Sequence, residues 1–126
     1  QSRRLMRSIP LKQEMPDGTT ETWKFAFIVD TILTRDTWMH RVDLAEATGR
    51  PMELTADHDG KLIADVVDEW ARRHGQPFTL TLTGPAGGTF SRGEGGEVIT
   101  IDAVQYCRTL SGRAHGDGLL SQEVPF

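Results

Sequence analysis

The stretch "ILTRDTWMHRVDLAEATG", residues 32–49, decides how this chain is read. Its apolar residues recur at helical spacing, and Gly49 and Pro51 stop it, glycine as a left-handed cap and proline as a breaker. Yet Asp36, His40 and Asp43 stand among those apolar residues. At about 100° of rotation per residue counted from Ile28, the arc from 0 to roughly 160° gathers Phe25, Ile28, Val29, Ile32, Leu33, Met39, Leu44 and Ala47. Asp36 and Asp43 fall close to the centre of the same arc, and His40 a little to one side.

A carboxylate or imidazole on the covered side of a helix is costly unless it is paired or binds a metal. Residues four apart share a face one turn apart, so Asp36 and His40 can point at one centre. Helix bundles build metal sites from such side chains. The same spacing also serves a plain internal pair, His40 bonded to Asp36 or Asp43. Two donors fall short of a catalytic zinc site, which takes three protein ligands and a water.

No other histidine is an obvious third ligand. His58 sits in "ADHDG", where Asp57 or Asp59 is the expected cap of the next helix. His74 falls at a helix C-terminus, a place that favours partial positive charge, and His115 lies in a glycine-rich tail. Phe27 and Trp38 fall near 260–280° of rotation, so cover is expected on two sides of the helix. One cover is the strand-rich part, and the other needs more helices than this chain supplies.

Outward from this stretch, the helix is expected to begin near Thr20, where "TET" offers capping side chains, after an irregular lead-in over residues 1–20 that closes in "PDGTT". A second helix is expected from Lys61 to His74, with Leu62, Ile63, Val66, Val67 and Trp70 inward and Gly75 ending it. Its outer face carries Asp65, Asp68, Glu69, Arg72 and Arg73. The period then changes to two. "PFTLTLTG" alternates Phe78, Leu80 and Leu82 with threonines, the pattern of a half-buried strand. "TFSR" and "EVITID" follow after the turns "PAGG" and "GEGG", which together suggest a small antiparallel meander with hairpin connections. Asp102 can cap a last helix, "AVQYCRTLSGR", with Ala103, Val104, Cys107 and Leu110 inward, and an extended tail closes the chain. Helices beside adjacent strands read as α+β: a long bundle helix, then a small domain of antiparallel strands flanked by helices.

The 126 residues suffice for one ordinary domain, and the formal net charge of −4 argues against a nucleic-acid partner. The basic cluster "RRLMR" is too short to change that. No apolar run approaches the roughly 20 residues of a membrane span, and the start lacks the apolar core of a signal peptide. One cysteine, Cys107, excludes an internal disulfide; it sits among inward helix positions and reads as a small buried hydrophobe. The glycine runs are turns, because no Gly-Lys-Ser/Thr follows them. A cytoplasmic location is the default expectation. The first residue is Gln, so the chain is expected to be processed, trimmed or part of a longer protein.

The run "TILTRDTWMHRVDLAEATGRP" resembles the fourth helix of the mycothiol-dependent maleylpyruvate isomerase family, actinobacterial proteins of the wider DinB-like group. "LIADVVDEWARRHGQPFTLTLTGPAGGTF", "VQYCRTLSGR" and the closing "VPF" are similar to that family's C-terminal region. The resemblance implies residues 1–50 as lead-in and last helix of a metal-binding bundle, and residues 51–126 as a C-terminal α+β domain. It implies a divalent metal, typically zinc, with Asp36 and His40 as two of its ligands. The family's acid is commonly Glu, and here it is Asp, one methylene shorter. A first histidine ligand would lie upstream of residue 1, so activity is expected of a longer protein rather than of this stretch alone.

The implied chemistry is that of mycothiol as cosubstrate. A metal-bound thiol loses its proton at neutral pH, and the thiolate adds to an electrophile bearing a carboxylate. In an isomerase the adduct of a cis double bond rotates and eliminates to the trans isomer; in a transferase the adduct is released. Arg113 in "LSGR" is the implied carboxylate clamp, with Arg108 second. Small-molecule substrate and mycothiol are the implied partners, with no nucleic acid and no membrane. A homodimer, or further helices of the same protein, would complete the bundle. The competing expectation is a non-catalytic ligand-binding or interaction domain, similar to sterol-carrier-like α+β domains, with a vestigial metal site.

Overall fold

The computed structural model describes residues 16–126, with the side chains of residue 22 and of residues 24–126. The lead-in expected before residue 16 lies outside the described residues. Helix α1 (Pro16–Thr48) begins four residues before the expected Thr20; proline's fixed φ suits a first helical position. It ends where expected, at Gly49 with φ 69°. The chain divides into two compact units within α1, between Trp38 and Met39.

In the first unit, Ala26, Arg35 and Trp38 are buried, whereas Phe25, Phe27, Ile28 and Leu33 are exposed, Phe25 at 59%. In the second, Met39 and Val42 are buried and Leu44 is 65% exposed. The arc expected to be covered is therefore mostly the open one. Asp36 and His40 are exposed and Asp43 half-buried. Apolar residues lie on several sides of α1, so periodicity does not choose the covered face; the elements that pack on it do.

The second unit is built around helix α2 (Asp59–His74), which is amphipathic and ends at Gly75 with φ 63°. Ile63, Val66, Val67, Trp70 and Ala71 are buried. The outward Arg73 and Glu69 pair at 2.7 Å, and Arg72 and Asp68 at 3.4 Å. The expected aspartate cap is absent. His58 occupies the cap position without a side-chain bond, while Asp59 is buried and accepts the Thr55 N–H at 2.7 Å. Asp59 also lies 3.8 Å from Arg41 of α1, which ties the start of α2 to the end of α1.

Strands β1 (Phe78–Thr83), β2 (Gly88–Arg92) and β3 (Glu97–Asp102) form one sheet in the order β2-β1-β3. β1 and β2 form the expected antiparallel hairpin, Leu80 opposite Phe90. The meander is corrected at β3, which pairs with β1, in parallel, Leu80 opposite Ile99. β1 has the strictest alternation, with Phe78, Leu80 and Leu82 buried, and so takes the centre. The "GEGG" segment is then a crossover past the start of β1 rather than a hairpin turn. A Cβ on Gly96 would collide with the Pro77 carbonyl, so the crossing depends on a bare backbone there.

Helix α3 (Ala103–Leu110) is capped as expected: Asp102 accepts the N–H groups of Val104 and Gln105 at 3.0 and 3.1 Å. Tyr106, Cys107 and Leu110 are fully buried. Trp70 is the hub, edge-on to Phe78 at 4.8 Å and to Tyr106 at 5.6 Å between ring centres. Its indole N–H donates to the Leu119 carbonyl at 2.9 Å. The tail is not simply extended: a 3-10 turn (Gly118–Ser121) provides that carbonyl, and Val124 is buried. The α+β class thus holds, a long helix followed by strands and a helix. No helix among the described residues is long and apolar enough to cross a membrane.

Candidate functional site

One polar candidate of the second unit, Arg113, meets Asp43. Helix α3 ends in a turn set by Gly112, whose φ of 84° lies in the left-handed region. The Arg113 N–H donates back to the Arg108 carbonyl at 2.8 Å. This brings the Arg113 guanidinium to α1. Its Nε donates to Asp43 Oδ1 at 2.7 Å and its Nη2 to Asp43 Oδ2 at 2.8 Å. The two parallel bonds form a fork-to-fork ion pair between residues 70 positions apart.

The electrostatics follow the geometry. Hydrogen bonding from Arg113 holds the Asp43 carboxyl below the usual carboxylate range. Partial desolvation opposes this, and the charges of Arg113, His40 and Arg108 reinforce it. Asp43 therefore feels both arginines and the histidine three residues before it. Arg108 is half-buried; its Nη1 donates to Gln105 Oε1 at 3.1 Å, and its buried Nε has no acceptor among the described residues.

Of the site residues read from sequence, the structure brings Arg113 to Asp43, three residues after His40 on α1, while the Arg108 side chain bonds Gln105. Asp36 belongs to the first unit and His40 to the second. Because both are exposed, the burial penalty that singled them out does not apply, and their candidacy rests on spacing and resemblance. Among the described residues no group of three His, Cys, Asp or Glu side chains stands ready to hold a metal ion. Asp36 and His40 are donor types that suit zinc, but two donors do not make the closed set the metal needs. The described residues alone therefore do not fit a bound metal.

The remaining histidines have other roles. His74 Nδ1 accepts the Gln76 N–H at 2.9 Å, and its ring stands edge-on to Trp70 and Phe78. Burial pushes its pKa down, with Glu97 partly opposing, which favours the neutral ring over the partial charge expected at a helix end. His115 pairs with Asp117 at 2.8 Å on the surface. Cys107 is buried, as its place among inward positions implies. A cleft of about 440 Å³ lies between the end of α1, the segment after it and the start of α3, lined in part by Val42, Met52, Leu54 and Val104. His40, Asp43, Arg108 and Arg113 are not among its lining residues.

The residue that sequence reasoning undervalued is Asp43, taken only as a hydrogen-bonding neighbour of His40. Its opposite charge to Arg113 was visible, but nothing local links residues so far apart in the chain. Comparison with protein-family profiles, characterised proteins and solved structures gave no match.

Proposed function

We propose that the protein is a mycothiol-dependent metalloenzyme of the maleylpyruvate isomerase type, an isomerase or thiol transferase acting on an electrophile that carries a carboxylate. The observation that carries this reading is the Arg113–Asp43 fork. The arginine that the resemblance makes a carboxylate clamp is tethered to α1 three residues after His40, about one helical turn from the histidine that the resemblance makes a metal ligand.

Two features support it further. Asp36 and His40 are exposed, and so accessible to a donor or ligand from outside the described residues. Phe25, Ile28 and Leu33, within one arc of α1, are also exposed, as is expected of a helix that takes further cover. On this reading the third donor comes from another helix, of the same protein or of a second copy. A metal held by Asp36, His40 and that third donor would supply thiol activation. The residues of this chain provide two donors and a cationic anchor, Arg113 with Arg108 beside it, that orients the substrate carboxylate. The reading assigns the protein to the cytoplasm, and a sequence with a single cysteine, Cys107, fits a reducing compartment.

The test offers the native protein mycothiol and a cis-enedioate such as maleate, and follows isomerisation or adduct formation. Thiol-dependent turnover that Asp36→Ala and His40→Ala each abolish supports the reading. Turnover indifferent to both substitutions refutes it. Binding of fatty acyl ligands with no thiol chemistry would instead favour the non-catalytic binding domain.

A further inference from the structure

We infer that Asp43 is a positioning residue: its carboxylate fixes the Arg113 guanidinium as the group that receives the carboxylate of an anionic substrate. This role presupposes the proposed reading of Arg113 and adds to it the device that makes the clamp rigid. An arginine has many rotamers, and ordering one opposes binding. Here the ordering precedes the ligand. Gly112 and the Arg108 carbonyl fix the backbone of Arg113, and the two bonds to Asp43 fix the plane and direction of the guanidinium.

Two observations favour positioning over a plain structural brace. The pair is open to solvent, with side-chain exposures of 31% for Arg113 and 42% for Asp43, so a ligand can reach it. Besides the two hydrogen bonds, the charges of Arg113, His40 and Arg108 favour the ionised Asp43 carboxylate. A dissolved carboxylate at millimolar concentration does not displace Asp43, which the fold holds at a far higher effective concentration. The substrate carboxylate therefore joins the pair rather than replacing Asp43.

The test titrates maleate into the intact protein, following calorimetric heat and the side-chain Nε–H resonance of Arg113 by NMR, with thermal unfolding of every variant. Asp43→Asn is expected to weaken maleate about tenfold or more, and Asp43→Glu to restore part of the affinity. The double variant Asp43→Arg with Arg113→Asp separates the two roles. It rebuilds the ion pair with the guanidinium on the helix, so it should recover thermal stability while maleate binding stays lost. Undiminished binding in Asp43→Asn, recovered binding in the double variant, or no maleate binding by the wild type each overturn the inference. If Asp43→Asn does not fold, the Glu and double variants decide. Metal content of the same samples distinguishes the failures. A metal-bearing wild type with no Asp43 effect sinks the positioning role alone, and a metal-free one whose maleate binding depends on Asp43 sinks the metalloenzyme reading alone.

Discussion

Replacing Tyr106 with Phe should stabilise the protein. Tyr106 is the one tyrosine of the chain. It is fully buried, its ring is edge-on to Trp70 at 5.6 Å, and its hydroxyl has no hydrogen-bond partner among the described residues. A buried hydroxyl left unsatisfied costs about 1–3 kcal/mol, and Phe keeps the ring packing. Tyr106→Phe should therefore gain about 1 kcal/mol, a rise in Tm of roughly 4–8 °C for a unit of this size. The sign has a second signature. Burial, with a smaller contribution from Cys107, pushes the phenol pKa up from its ordinary value. The unfolded chain then loses this proton near pH 10 while the folded chain keeps it. The stability tied to the neutral phenol is complete below about pH 10 and falls by roughly 1.4 kcal/mol per pH unit above it. Tyr106→Phe lacks that loss, so its advantage should widen in alkali.

The assay is a urea melt of both proteins at neutral and alkaline pH, with phenolate absorbance read beside circular dichroism. In the wild type, phenolate should form only as the fold collapses. Reversible phenolate formation near pH 10 in an intact fold, or a variant less stable than wild type by about 1 kcal/mol, would refute the account of this core.

Asp102→Ala removes the carboxylate that caps α3 and should cost about 1 kcal/mol, with Asp102→Asn recovering most of it, as read from urea midpoints. Gly96→Ala should destabilise by about 2 kcal/mol or more, because its Cβ meets the Pro77 carbonyl at the crossover. A true hairpin turn at "GEGG" would tolerate that change, so the same melt also tests the strand order.

Elements governed by neighbours in the chain were legible. Strict alternation fixed β1 at residues 78–83, and Gly49 and Gly75 end α1 and α2 in the left-handed conformation that glycine adopts freely. Asp102 caps α3 because a short acceptor stands just before a run of helical N–H groups. What depends on distant parts of the chain was not legible. The parallel β1–β3 pairing needs the sheet's partner choice, which the period of a single strand does not encode. The covered face of α1 is set by what packs on it, and with apolar residues on several sides the arc through Asp36 and His40 was mistaken for the buried one. At the site, Arg113 and Arg108 were singled out, but the aspartate that orders Arg113 was not seen as its partner, because their complementarity spans 70 positions.

The central claim is that Asp36 and His40 are metal ligands of a thiol-activating centre. It is tested most directly by the divalent-metal content of the native protein purified without chelators. The account predicts one zinc or similar ion per active site, reduced in Asp36→Ala and His40→Ala without loss of fold. Its absence from the wild type, or its full retention in both variants, would contradict the claim.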